Sequence, residues 1–81
     1  MPRVTVRFPG PACDLAGVEQ RAYDLAAGTT LGGLAGVLAN ESPRLGAALG
    51  VRLAVNRRFA ALDHELCDGD EVAVIPPVSG G

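Results

Sequence analysis

The run Glu71-Val72-Ala73-Val74-Ile75, held between the turn sequence Asp68-Gly69-Asp70 and the pair Pro76-Pro77, constrains this chain more than any other stretch. A short apolar run bounded by turn signals reads as a buried strand. Proline lacks the N–H that a strand ladder needs, so Pro76 ends the strand and opens a short tail, Val78-Ser79-Gly80-Gly81. The fold is therefore expected to seat its last strand in a core and to release residues 76–81 from it. Glycine has no side chain, so the carboxylate of Gly81 can be threaded down a channel that any Cβ would block, and its carbonyl carbon is open to attack. Ser79-Gly80-Gly81 offers no apolar anchor, and the tail is expected to be a mobile, reactive tip.

With 81 residues the chain makes one domain, large enough for a modest core and too small to enclose a deep catalytic cleft. This favours a carrier or binding module over a self-sufficient enzyme. The net charge is −2, the seven cationic residues are dispersed arginines, and the aromatics are two phenylalanines and one tyrosine. With no basic stripe and few rings for stacking, nucleic acid is not an expected partner. The apolar runs fall far short of the roughly 20 residues of a membrane span, and the N-terminus lacks signal-peptide organisation, so a cytoplasmic protein that does not enter the membrane is expected. Cys13 and Cys67 form no CxxC or Cys/His spacing, which argues against zinc; in a reducing cytosol they are expected to be free thiols.

Arg3-Val4-Thr5-Val6-Arg7-Phe8 alternates, placing Val4, Val6 and Phe8 on one face of a half-buried strand that Pro9-Gly10-Pro11 ends. Residues 12–17 suit a single helical turn closed by Gly17. A second strand is expected over 19–25, with Ala22 and Leu25 inward. Thr30 is a good N-cap for a helix with Leu31, Leu34, Ala35 and Leu38 on its apolar side. Gly32, Gly33 and Gly36 each cost that helix up to about 1 kcal/mol relative to alanine, so packing must hold it. The Ser42-Pro43 step ends it. Residues 44–50 read as a loop or one helical turn, 51–55 as a third strand, Asn56-Arg57-Arg58 as a turn, 59–62 as a short segment, and 71–75 as the last strand. Such an order implies an α+β fold, a ubiquitin-like β-grasp in which a small mixed sheet carries one main helix packed on one face and a projecting C-terminal tail. Its first and last strands would be central, parallel neighbours. Residues 1–75 form the β-grasp domain in this reading, and residues 76–81 the flexible tail ending in Gly-Gly.

Other constellations carry little chemistry. Asp63, Glu65, Asp68, Asp70 and Glu71 crowd one stretch without EF-hand spacing and read as a solvated turn. His64, the single histidine, has no neighbouring nucleophile and makes no triad. The glycine-rich stretch 28–36 lacks the lysine of a phosphate loop, and the chain contains no lysine at all. Gly81 is the one distinctive chemical handle.

The run Leu53-Ala54-Val55-Asn56, the segment Leu62-Asp63-His64-Glu65-Leu66 and the stretch from Asp68 to Gly81 together resemble the C-terminal half of the MoaD/ThiS family of ubiquitin-like sulfur carriers. Within that family the likeness is greatest to the small, sulfur-carrying subunits of molybdopterin synthase. The strand segment Val6-Arg7-Phe8 and the stretch Asp14-Leu15-Ala16-Gly17 also fit. The resemblance implies that a ubiquitin-activating-like adenylating enzyme uses ATP and Mg²⁺ to convert the Gly81 carboxylate to an acyl adenylate, which a sulfur donor protein converts to a thiocarboxylate. No cofactor or metal would stay bound to the chain itself. The sulfur would then go to precursor Z, forming the molybdopterin dithiolene inside the large synthase subunit, with which a heterotetramer is expected. Catalytic groups would reside on that partner, so the chain is a carrier rather than an enzyme in its own right.

Carried over by position, Gly80 and Gly81 match the family's diglycine, and Phe59 and Ile75 match apolar positions that pack on the large subunit. Ordinary core is the competing reading for those two residues. Pro76, Pro77, Val78 and Ser79 would enter the partner with the tip. Three departures stand out: Pro9 follows Phe8 where a second aromatic is common, Val74-Ile75 replaces two aromatics before Pro-Pro, and Cys13 replaces an arginine before Asp14. The first two thin the aromatic part of the partner surface, and the third touches a contact with the adenylating enzyme. The same tip would also serve a carrier for thiamin thiazole, cysteine or tRNA thiolation, or a ubiquitin-like protein modifier. A plain interaction module would not need it.

Overall fold

A computed structural model describes residues 1–46 and 52–75. Its elements are β1 (Arg3–Arg7), α1 (Pro11–Ala16), β2 (Gln20–Asp24), α2 (Leu31–Glu41), α3 (Pro43–Gly46), β3 (Arg52–Val55), β4 (Arg58–Phe59) and β5 (Glu71–Ile75). The strands form a mixed sheet in the order β2-β1-β5-β3-β4. First and last strands lie side by side and parallel, with Val6 opposite Val72. β2 runs antiparallel to β1, and β3 antiparallel to β5. This is the ubiquitin-like β-grasp that the order of elements implies.

Alternation puts Val4 and Val6 of β1 and Val72 and Val74 of β5 on the same face, where they are fully buried with Leu31 and Leu34 of α2. Phe8, Leu25, Leu38, Val55 and Leu66 complete the core. Removing such side chains from water contributes roughly 1.5–3 kcal/mol each, which is what holds a glycine-rich helix in place.

The first turn of α2 is also tied down by hydrogen bonds. Thr30 Oγ1 accepts from the Gly33 N–H at 3.1 Å, while the N–H groups of Leu31 and Gly32 donate to the carbonyls of His64 and Leu62, each at 2.8 Å. Helix-end donors that would otherwise lack partners are thereby satisfied. This requires the segment around Leu62 to lie against the helix backbone. A Cβ on Gly32 would stand 3.1 Å from the Leu62 carbonyl oxygen. At the other end of α2, the Tyr23 hydroxyl donates to Glu41 at 2.6 Å and Arg21 donates to the same carboxylate at 3.1 Å. Burial, reinforced by the bond to Glu41, holds the Tyr23 hydroxyl above the usual phenol pKa.

Two expectations need correction. Ala22 does not face inward: it pairs with Thr5, Tyr23 pairs with the buried Val4, and Ala22 is exposed on the open side. A one-residue change of register exchanges the faces, and the aromatic ring wins the helix side. The short segment expected over 59–62 is instead β4 at Arg58–Phe59. Asn56 and Arg57 both have positive φ, 51° and 72°, and make a two-residue hairpin loop that brings Arg58 straight back opposite Val55. The chain after Phe59 then leaves the sheet to cap α2.

Arg58, expected in the turn, opens β4, while three local expectations hold. Gly17, at φ 84°, closes α1, Ser42 caps α2 before Pro43, and α3 is a single turn. Val51, expected to open β3, residues 47–50 and the tail 76–81 lie outside the described residues.

The helix contacts give a direct comparison of two glycines. A Cβ at Gly36 meets nothing within 4 Å, so Gly36→Ala is expected to raise stability in urea titration by about 0.5–1 kcal/mol. Gly32→Ala is expected to lower it, because the new methyl meets backbone rather than a side chain that can yield. Equal gains at both positions would show that Leu62 does not press on the helix.

Candidate functional site

With Val72 and Val74 turned to the core, Ala73 and Ile75 face outward. Strand register builds a row across this open face. Gln20 lies opposite Arg7, Arg7 opposite Ala73, Ala73 opposite Ala54, and Ala54 opposite Phe59. One step further along β5, Ile75 lies opposite Arg52. Two alanines therefore form a low floor, with Phe59 on the edge strand, Ile75 at the end of β5 and Arg52 at the start of β3 around it.

Exposure follows from this placement. Phe59 is 62% exposed, an unusual state for a phenylalanine, whereas Ala54 is 5% exposed although it lies outside the core cluster. The Arg52 guanidinium carbon sits 5.5 Å from the centre of the Phe59 ring. Such a stacked pair is worth about 0.5–1 kcal/mol at an exposed site and pre-organises a flat, partly apolar surface. A shallow apolar floor with an aromatic wall and a cation can receive side chains from another protein.

Phe59 and Ile75 are thus brought to one face, and Ile75 is half-buried there. Pro76, Pro77, Val78, Ser79, Gly80 and Gly81 follow Ile75 directly in the chain and lie outside the described residues. Cys13 and Asp14 line an open groove with Arg7, Phe8, Glu19 and Gln20. Cys13 is half-buried, Cys67 is exposed, and both are free thiols. Among the described residues no group of three or more His, Cys, Asp or Glu side chains could hold a metal ion, and no helix is long and apolar enough to cross a membrane.

Two of the crowded acids, Asp68 and Asp70, have structural tasks. Asp70 accepts from the Asn56 side-chain amide at 2.9 Å and from the Cys67 N–H at 2.8 Å, and Asp68 accepts from the Arg3 N–H at 2.8 Å. Arg52, Ala54 and Ala73 are site residues that sequence reasoning missed. Their signal was the alternation of β5: once Val72 and Val74 point inward, the small Ala73 and whatever pairs with it must face out.

An open sheet face with an exposed aromatic, on a sheet whose last strand is central, defines a β-grasp domain of the ubiquitin-like class. The ThiS family model matches residues 6–81, and the chain belongs to that family of ubiquitin-like sulfur carriers. It is 42% identical over 71 residues to the molybdopterin synthase sulfur carrier subunit of Mycobacterium tuberculosis, covering 86% of this chain and 83% of that protein. A structure from Pyrococcus furiosus, named for subunit 1 of a molybdopterin converting factor, superposes with a TM-score of 0.89 at 29% identity, over 96% of this chain and 100% of that one. Small archaeal modifier protein 1 from Haloferax volcanii gives 0.84 at 26% identity, over 98% and 99%. The complex of subunits 1 and 2 of the molybdopterin-converting factor from Helicobacter pylori gives 0.70 at 31% identity, over 98% and 99%.

If Phe59 serves the surface rather than the core, Phe59→Ala is expected to cost no more than about 1 kcal/mol in urea titration, roughly its stacking with Arg52. Leu34→Ala, in the core, is expected to cost about 2–5 kcal/mol. A loss of the core size at Phe59 would contradict the surface assignment.

Proposed function

We propose that the chain is the sulfur carrier of a molybdopterin synthase, with the carboxylate of Gly81 as the group that carries sulfur. The observation that supports this most directly is the 42% identity, across most of both chains, to a molybdopterin synthase sulfur carrier subunit. A carboxylate ionised at neutral pH is a poor electrophile. Attack of the Gly81 carboxylate on the α-phosphorus of ATP expels pyrophosphate and gives an acyl adenylate, a far better acyl donor. Hydrosulfide delivered by a donor protein then attacks the carbonyl carbon, AMP leaves with the C–O bond electrons, the S–H proton is lost to solvent, and a thiocarboxylate remains. ATP and Mg²⁺ belong to the adenylating enzyme.

The tail then enters a large subunit and passes its sulfur to precursor Z. Phe59, Ile75 and the stretch Pro76-Pro77-Val78-Ser79 make the contact, and Gly80 and Gly81 reach the reacting atoms. The Helicobacter pylori complex of two subunits supports a partner of this kind. The likeness to small archaeal modifier protein 1 favours a second reading, in which the activated Gly81 acylates lysine amines of other proteins.

An intact mass spectrum separates these. After incubation with the host's adenylating enzyme, ATP, Mg²⁺ and a sulfide source, the full chain is expected to gain the mass of one oxygen replaced by sulfur, and a chain lacking Gly81 to gain nothing. Adding the large subunit and precursor Z should return the carrier to its original mass as molybdopterin forms. Tail-dependent high-mass adducts in a lysate, with no conversion of precursor Z, would transfer the assignment to the modifier reading.

A further inference from the structure

Six of the seven arginines divide into two sets, and the seventh, Arg44, is on α3 with no ion pair among the described residues. Arg3, Arg7 and Arg21 pair with Asp24, Glu71 and Glu41 at 3.2, 3.2 and 3.1 Å. Arg52, Arg57 and Arg58, all on the β3–β4 hairpin, have no carboxylate partner among the described residues, although all nine acidic residues of the chain are among them. Two acids near the hairpin loop have other partners, Glu71 the Arg7 side chain and Asp70 the Asn56 amide and the Cys67 N–H.

Backbone geometry adds an independent observation. Arg57 has φ 72° in a tight hairpin loop, where glycine is the residue the conformation favours. An exposed arginine is held there against the backbone's preference, and strain of this kind is characteristic of functional positions. Arg52 stacks on Phe59 and lies opposite Ile75, so the cationic edge is continuous with the alanine floor and with the strand that leads into the tail.

Resting on the sulfur-carrier reading, we propose that Arg52, Arg57 and Arg58 select the carrier's large-subunit partner by receiving an acidic patch beside its docking surface. Arg52, stacked at the floor, becomes desolvated in the contact and holds the complex together. Arg57 and Arg58, on the turn and edge strand, stay on the rim and steer the approach. The aliphatic floor beside them matches a protein surface better than a phosphate backbone, since the cations form a short cluster and not a stripe.

The test is the binding kinetics of the host's large subunit to the full chain at about 0.05 M and about 0.5 M salt. Arg57→Gly and Arg58→Gln are expected to slow association about 3- to 10-fold at low salt and to match the parent chain at high salt, with dissociation unchanged. Arg52→Gln is expected to speed dissociation about tenfold at both salts. Arg57→Gly should keep or raise the melting temperature, which separates a lost contact from a lost fold. Variants that bind like the parent at both salts would overturn this proposal while leaving the carrier reading in place. A parent chain that shows no binding to the large subunit would overturn both. Loss of poly(U) RNA binding in the same variants, with subunit binding unchanged, would assign the hairpin to nucleic acid and reject the proposal.

Discussion

The parallel pairing of β1 with β5 is the constraint on which the rest of the structure depends. Parallel neighbours cannot be joined by a tight turn, so everything between Arg7 and Glu71 must leave the sheet's centre and return to it. The return is guided by the Asp68-Gly69-Asp70 turn, through the Asp68 side chain and the backbone of Gly69 and Asp70. Asp68 receives the Arg3 N–H, the Gly69 N–H donates to the Arg3 carbonyl at 2.9 Å, and the Thr5 N–H donates to the Asp70 carbonyl at 3.1 Å. Asp70 and Asn56 then lock the hairpin loop to the start of β5, with the Glu71 N–H donating to Asn56 Oδ1 at 3.0 Å. A slip of one residue would reverse Val72 and Val74 with Ala73 and Ile75, exchanging core and open face at once.

In the proposed group transfer, the same pairing fixes the point from which the tail leaves the sheet. β5 is flanked by β1 as far as Ala73 and by β3 as far as Ile75, the residue before Pro76. A tail that begins there starts from a backbone fixed by neighbours and core, so positioning reaches its root without any added element. The charged pairs of the outer face contribute little to stability, because exposed ion pairs of this kind are worth about 0–1 kcal/mol. Their larger effect is to neutralise the β1–β2 side and leave cationic character on the β3–β4 hairpin.

Much of this architecture could be read from the sequence, since local signals and global fold agree. The alternation of Val4, Val6 and Phe8, the cap at Thr30 and the stop at Ser42-Pro43 each rest on a property of one residue type, and each sits where that property places it. β2 was harder. In Gln20-Arg21-Ala22-Tyr23-Asp24 the inward positions are Arg21 and Tyr23, whose polar ends reach Glu41 at the rim of the core, so hydropathy pointed to the wrong face. The glycines of α2 gave no hint of which one was needed, because only the folded path of Leu62 distinguishes Gly32 from Gly36. At the site, Phe59 and Ile75 were visible as apolar positions. The alanine floor and Arg52 join them only through cross-strand register, which links residues far apart in the chain.

The proposed contact, in which the open face around Ala54, Ala73, Phe59 and Ile75 meets the partner, is tested most directly by NMR. Backbone amide shifts of the labelled chain would be followed while unlabelled large subunit is added. The account predicts changes concentrated on Arg52, Ala54, Phe59, Ala73 and Ile75, with Leu31 to Glu41 of α2 unmoved. Changes centred on α2, with the open face silent, would contradict it.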